Sequence, residues 1–139
     1  MGETYGNKWD FYIGGTNSSN FKEFINSGTS YIISVSNTNL IATTFEGTEI
    51  YNSSYNMGTW NTGLNINLFG RRKTNTTNEN SAGGSFKIYY CKIYDNNELV
   101  RDLVPGIRKS DNVICMYDKV TGTFFENAGT GEFIAGPEI

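Results

Sequence analysis

Ser85–Gly136 reads SFKIYYCKIYDNNELVRDLVPGIRKSDNVICMYDKVTGTFFENAGTGEFIAG, and its pattern decides the fold. Two apolar runs, Phe86 to Tyr94 and Leu99 to Val104, flank Asp95-Asn96-Asn97-Glu98. Aromatic and β-branched runs joined by a short Asn-rich turn predict a β-hairpin. A second hairpin follows, with Val113 to Tyr117 as one arm and Thr123-Phe124-Phe125 as the other. Asp118 to Gly122 connects them, and Gly122 can take a positive φ. Asn127 to Gly131 predicts another turn, and Phe133-Ile134 a last short strand.

Along the first run, Phe86, Ile88 and Tyr90 share one face of an ideal strand, and Tyr89, Cys91 and Ile93 the other. Both faces are apolar. That pattern predicts a strand covered on both sides inside a sheet, or one that contains a bulge. Phe86, Ile88, Ile93, Val113, Cys115 and Phe133 are the predicted core residues of this region.

The ordered series KIYYCKIYDNNELVRDLVP, then YDKVTGTFFENAGTGEFIAG, resembles the C-terminal portion of concanavalin A-like (laminin-G-like) jelly-roll modules. Phe45-Glu46-Gly47-Thr48-Glu49-Ile50-Tyr51 is similar to a strand–glycine–strand pattern of the same family. The resemblance implies an all-β antiparallel β-sandwich. It also implies an extracellular setting, either a bacterial cell surface or a phage tail or virion protein. Members of the family begin with further strands before the equivalent of Trp9, so roughly one or two strands of usual length are expected to be missing. Residues 1–139 are therefore expected to form a single jelly-roll domain, partial at the N-terminus, with an edge that another chain could pair with.

The bulk numbers restrict the function classes. The chain has 139 residues, 11 Lys+Arg, 14 Asp+Glu, no His and a net charge of −3. A mildly acidic surface argues against nucleic acid binding through a broad basic field. Aromatics make up 14% alongside many Asn, Thr, Ser and Gly residues, which suits an all-β domain with long loops. No apolar stretch is long enough to insert across a bilayer. Cys91 and Cys115 lie inside apolar runs and read as buried free thiols rather than a disulfide.

Upstream, Trp9 to Ile13 predicts a short strand stopped by Gly14-Gly15, and Thr16 to Asn20 a turn. Phe21 to Ile25 fits either one helical turn or a strand. Tyr31 to Ser36 and Leu40 to Phe45 predict two strands joined by the turn Asn37 to Asn39, and Glu46 to Tyr51 continues as a tight turn and short strand. Asn52 to Gly63 reads as a polar loop carrying Tyr55, Met57 and Trp60. Leu64 to Gly70 alternates as a half-buried strand, and Thr74 to Gly84 as a polar loop.

Three chemistries bear on these residues. Glycosidases of this fold need two facing carboxylates, placed on one strand as E-x-D-x-x-E in the retaining enzymes, and that pattern is absent. Glu46 and Glu49 flank one turn, Asp95 and Glu98 another, and without His no Ser-His-acid triad exists. The chain is therefore read as non-enzymatic. Sugar binding needs aromatic faces beside amide, carboxylate or guanidinium groups. Tyr55 and Trp60 are the candidate platforms because loops carry function, with Asn67, Arg71 and Arg72 beside them in sequence. Trp9 and Tyr51 read as caps of the core. Calcium would need clustered oxygen ligands. Asp95 to Glu98 and Ser110-Asp111-Asn112 read as turns instead, so no cofactor or metal is assigned. The expected partner is a glycan or cell-surface polysaccharide. The rival expectation is a structural module, such as a virion decoration or an oligomerisation domain, with homo-oligomers or other virion and surface proteins as partners.

Overall fold

In the computed structural model, residues 9–13, 16–21, 28–54, 71–72, 78–79, 87–128 and 132–136 are described. For 9–13, 16–21, 71–72 and 78–79 the description is of the backbone. The chain is all-β, with no helix among these residues. It divides into two compact units, Met1–Asn78 and Glu79–Ile139.

In the first unit, β1 (Trp9–Ile13) pairs antiparallel with β2 (Thr16–Phe21), and Ile13 lies opposite Thr16. The expected turn at Thr16 to Asn20 is therefore a strand. Gly14-Gly15 provides a two-residue connection in sequence, short enough for the following polar residues to pair back. β3 (Tyr31–Val35), β4 (Asn39–Thr44) and β5 (Glu49–Ser54) form a three-stranded antiparallel sheet in that order. One face carries Leu40 opposite Val35 and Ser53, and Ala42 opposite Ile33 and Tyr51. Leu40 and Ala42 are fully buried. The other face carries Asn39, Ile41 and Thr43 opposite polar residues of β5.

Two local devices fix this sheet. Between β3 and β4, the Ser36 amide donates to the Asn39 carbonyl, while the Ser36 hydroxyl oxygen accepts from the Thr38 and Asn39 amides. Between β4 and β5, Gly47 takes φ +91°, its amide donates to the Thr44 carbonyl, and the Thr44 amide donates to the Thr48 carbonyl. β5 runs on to Ser54, three residues into the segment expected to be a loop. A two-stranded pair, β6 (Arg71–Arg72) and β7 (Asn78–Glu79), lies further along, so the expected loop from Thr74 also contains a strand. Tyr55 to Gly70, including the expected strand at Leu64, lies outside the described residues.

The second unit is a four-stranded antiparallel sheet. Its strands are β8 (Cys91–Asp95), β9 (Glu98–Arg108), β10 (Val113–Asp118) and β11 (Phe124–Phe125), in the order β11-β10-β9-β8. Both expected hairpins are present. Asn96 and Asn97 connect β8 to β9 with φ of 48° and 67°. Two consecutive positive φ values match the right-handed twist of a two-residue hairpin, and Asn tolerates them better than most residues.

Four expectations for this unit are corrected. The first strand begins at Cys91, not Phe86, and Tyr89 and Tyr90 before it are exposed. Among the described residues β8 is an edge strand rather than an interior one, and the bulge that its pattern also allowed lies in its pairing with β9, where Val100 is unpaired between Leu99 and Arg101. β9 continues through Pro105-Gly106 to Arg108. Beyond Leu103 its described neighbour is β10 alone, the one-sided setting in which a strand admits proline. Phe133 and Ile134 form no strand and are exposed, Ile134 at 89%. Of the predicted core residues, Cys115 is buried, Ile88, Ile93 and Val113 are half-buried, and Phe86 lies outside the described residues. Leu103 and Met116 are the buried apolar residues of this unit, among those described, that the strand pattern did not single out.

Two turns of this sheet are built alike. In the β9–β10 turn, the Asn112 amide donates to the Arg108 carbonyl and Asn112 takes φ 60°. In the β10–β11 turn, the Gly122 amide donates to the Asp118 carbonyl and Gly122 takes φ +71°. Each turn is also closed by a bond between side chains three apart, Arg108 to Asp111 and Thr121 to Asp118. The residue at the fifth position must accept a left-handed backbone, and Asn and Gly do so at least cost.

Candidate functional site

The polar face of β4–β5 carries a connected row of side chains. The Asn39 Nδ2 group donates to Asn52 Oδ1 and to Ser54 Oγ, each at 3.4 Å. Asn52 Nδ2 in turn donates to Glu49 Oε2 at 3.2 Å. Asn52, Ser54 and Glu49 are exposed. Ideal strand alternation would place Glu49 and Asn52, three apart, on opposite faces. A bulge prevents this. Ala42 lies opposite Tyr51 and Thr43 opposite Glu49, so Ile50 is the extra residue. The extra residue re-aims the carboxylate onto the face of Asn52. The row offers amide donors, amide and hydroxyl acceptors and one carboxylate on a rigid sheet. Such a set can hydrogen-bond the hydroxyls of a polar ligand. β5 ends at Ser54, so the next residue in the chain is Tyr55.

Of the sequence-predicted site residues, Tyr55, Trp60 and Asn67 lie outside the described residues. Arg71 and Arg72 form strand β6, for which the backbone alone is described. The structure therefore brings none of the five into described contact with another. The row itself was missed. Its residues are ordinary polar strand positions in sequence, and the bulge that gathers them leaves no composition signal.

Two further groups of charged side chains, around Asp118 and around Arg108, are tied into structure. Asp118 is wholly buried at the end of β10. Its Oδ1 accepts from the Asp102 amide at 3.0 Å and the Val120 amide at 3.1 Å, and its Oδ2 from the Thr121 hydroxyl at 2.7 Å. Arg101 Nε lies 3.6 Å from Oδ2. Burial pushes the Asp118 carboxyl up, but the Asp102 amide, the Thr121 hydroxyl, the Val120 amide and the Arg101 charge together hold it below the usual aspartate range. Asp102 Oδ1 is buried without a hydrogen-bond partner among the described residues.

Arg108 joins three segments. It forms a fork onto Asp111, with Nε at 2.9 Å from Oδ1 and Nη2 at 2.6 Å from Oδ2, and Nη2 also reaches Glu126 Oε1 at 2.6 Å. Its guanidinium carbon lies 5.8 Å from the centre of the Phe124 ring, which itself packs on Tyr117 at 5.0 Å between centroids. The bonds to Asp111 and Glu126 push the Arg108 guanidinium up, and Arg108 holds Asp111 below the usual carboxylate range. Asp95 to Glu98 and Ser110-Asp111-Asn112 are turns, as expected.

Cys91 and Cys115 are free thiols, and burial pushes the Cys91 thiol up, away from thiolate reactivity. Among the described residues, no group of three or more Cys, Asp or Glu side chains is placed to hold a metal ion. No described helix is long and apolar enough to cross a membrane.

Comparison of the chain with protein-family profiles, curated proteins and solved structures finds no match. What stands is the class the fold defines: an all-β chain with antiparallel sheets of three and four strands among the described residues, compatible with a β-sandwich.

Proposed function

We propose that this chain is a non-enzymatic recognition module that binds carbohydrate, a cell-surface glycan in a bacterial surface protein or a phage tail or receptor-binding protein. The concanavalin A-like jelly roll is the fold proposed for it, and an extracellular or virion setting goes with that fold. The observation that carries the reading is the row Asn39–Asn52–Ser54–Glu49, which runs along β4–β5 and leads in sequence directly into Tyr55. Amides and a carboxylate engage sugar hydroxyls, and the aromatic rings of Tyr55 and Trp60 offer apolar faces to the sugar ring. Asn67, Arg71 and Arg72 complete the proposed contact set. Affinity at one such site is on the order of 0.1–1 mM, because a shallow polar site exchanges water for hydroxyls with little net gain. Several copies on one particle would supply avidity.

The experiment is a glycan array probed with the protein displayed multivalently. Binding that is lost in Tyr55→Ala/Trp60→Ala and weakened in Asn52→Ala supports the reading. Binding untouched by all three variants places the site elsewhere. A second reading, a structural or assembly module without sugar affinity, is favoured by the exposed Ile107, Phe125 and Ile134 of the second unit. Absence of binding to every glycan, with the protein folded, would leave that second reading.

A further inference from the structure

We infer that the row on β4–β5 selects uncharged sugars and rejects sugar acids; the inference rests on the proposed carbohydrate site and names its ligand class. The polar groups on this face are not equivalent. Asn39 donates to Asn52, and Asn52 donates to Glu49, so the chain of bonds points toward the carboxylate. Both N–H groups of Asn39 and one of Asn52 are thus directed within the row, and the carboxylate is its terminal acceptor. The ligand best suited to that terminus brings hydroxyl donors rather than a further anion. Glu49 Oε2 is taken by Asn52, while Oε1 has no protein partner among the described residues and is exposed to accept one.

The bulge gives this placement independent weight. Regular alternation would put Ile50 on the polar face and turn Glu49 to the face of the buried Leu40 and Ala42. The strand instead carries an extra residue and keeps the charge outward beside Asn52. Bulges concentrate where a side chain must be re-aimed, so a charge delivered by one is a placed charge. A uronate or sialic acid carboxylate seated on this row would face Glu49 at close range, within a protein of net charge −3. Two like charges near 4 Å at a solvent-exposed site disfavour one another by roughly fivefold in affinity at low salt. The penalty shrinks as salt screens it.

The test uses the full chain, displayed multivalently, on neutral hexose glycans and on the same glycans oxidised at C6 to uronates. Expected is a roughly fivefold preference for the neutral form at low salt, reduced at 0.5 M NaCl. Glu49→Gln keeps an acceptor for Asn52 and should bring the two forms toward equal binding. Equal or stronger binding of the uronate by the unaltered protein overturns the inference while leaving the carbohydrate reading intact. A preference that persists in Glu49→Gln overturns it as well, since another group then discriminates. Binding of neither form overturns the carbohydrate reading and this inference together.

Discussion

Leu40 and Asp118 show how differently two buried residues hold a sheet. Leu40 is apolar, sits at the centre of β3–β4–β5 and is 2% exposed. Leu40→Ala should cost about 2–5 kcal/mol in urea unfolding, because the neighbours collapse only in part into the space left. Asp118 acts through hydrogen bonds instead. It gathers one amide from β9, one amide and one hydroxyl from its own turn, and the approach of Arg101. Its folded carboxyl binds a proton more weakly than the unfolded one, as does that of Asp111. The stability they contribute is fully present above the usual aspartate range and is lost as pH falls through the lowered folded values. Unfolding measured from pH 7 down to pH 2 should show this acid loss, and Asp118→Asn should flatten it. An unchanged slope in that variant would assign the acid loss to other carboxylates. Arg108→Lys should weaken the β9–β10 turn, since an ammonium cannot form the fork onto Asp111 while reaching Glu126.

At the scale of elements, the turns specify the second unit. Asn96 and Asn97 are both left-handed, which asks for Asn, Asp or Gly. Asn97→Gly should be neutral or slightly stabilising, and Asn97→Val should cost about 1–2 kcal/mol from left-handed strain. Gly122→Ala should cost about 1 kcal/mol for the same reason, with no clash added, since the nearest side-chain atom to an added Cβ is Tyr117 Oη at 3.9 Å. Denaturant midpoints of the three variants read these differences, and equal midpoints for Asn97→Gly and Asn97→Val would place the hairpin's stability outside its turn. These turns were legible because turn chemistry is local: an Asn-Asn pair or a glycine declares its φ without knowledge of the rest of the fold. The strands between them were legible in existence and less so in extent. Phe86 to Tyr90 carries the same aromatic alternation as a strand, yet pairing starts at Cys91, because pairing depends on a partner that the run itself does not encode. Thr16 to Asn20 shows the converse: its polar residues read as a turn, and pairing with Trp9–Ile13 makes them a strand. The row on β4–β5 was illegible for a related reason. Its geometry depends on one unpaired residue, Ile50, and nothing in EIYNSS marks which position is extra.

For the whole molecule, composition decides which partners are excluded more firmly than which is chosen. With 11 basic against 14 acidic residues, a broad positive field able to condense on phosphates is not expected. Neither duplex DNA nor heparin should retain the protein at 0.15 M salt. Retention that falls steeply with added salt would reveal a local basic site, with Arg71-Arg72-Lys73 the first place to look. Circular dichroism should show a β spectrum with minimal helical signal, which follows from strands in both units.

The extra residue in β5 makes the strand unevenly tolerant of lost codons. Removing Ile50 would turn a bulged strand into a regular one and leave Glu49 opposite Thr43, still beside Asn52. Removing Ser53 would also use up the extra residue but would turn Asn52 inward and Tyr51 outward, and removing Asn52 would turn Tyr51 outward onto the polar face. A gene drifting by in-frame deletions could therefore shorten this strand at one position and keep its polar face. A scan of single-codon deletions from Glu49 to Ser54 should show soluble, folded protein surviving best when Ile50 is the residue lost.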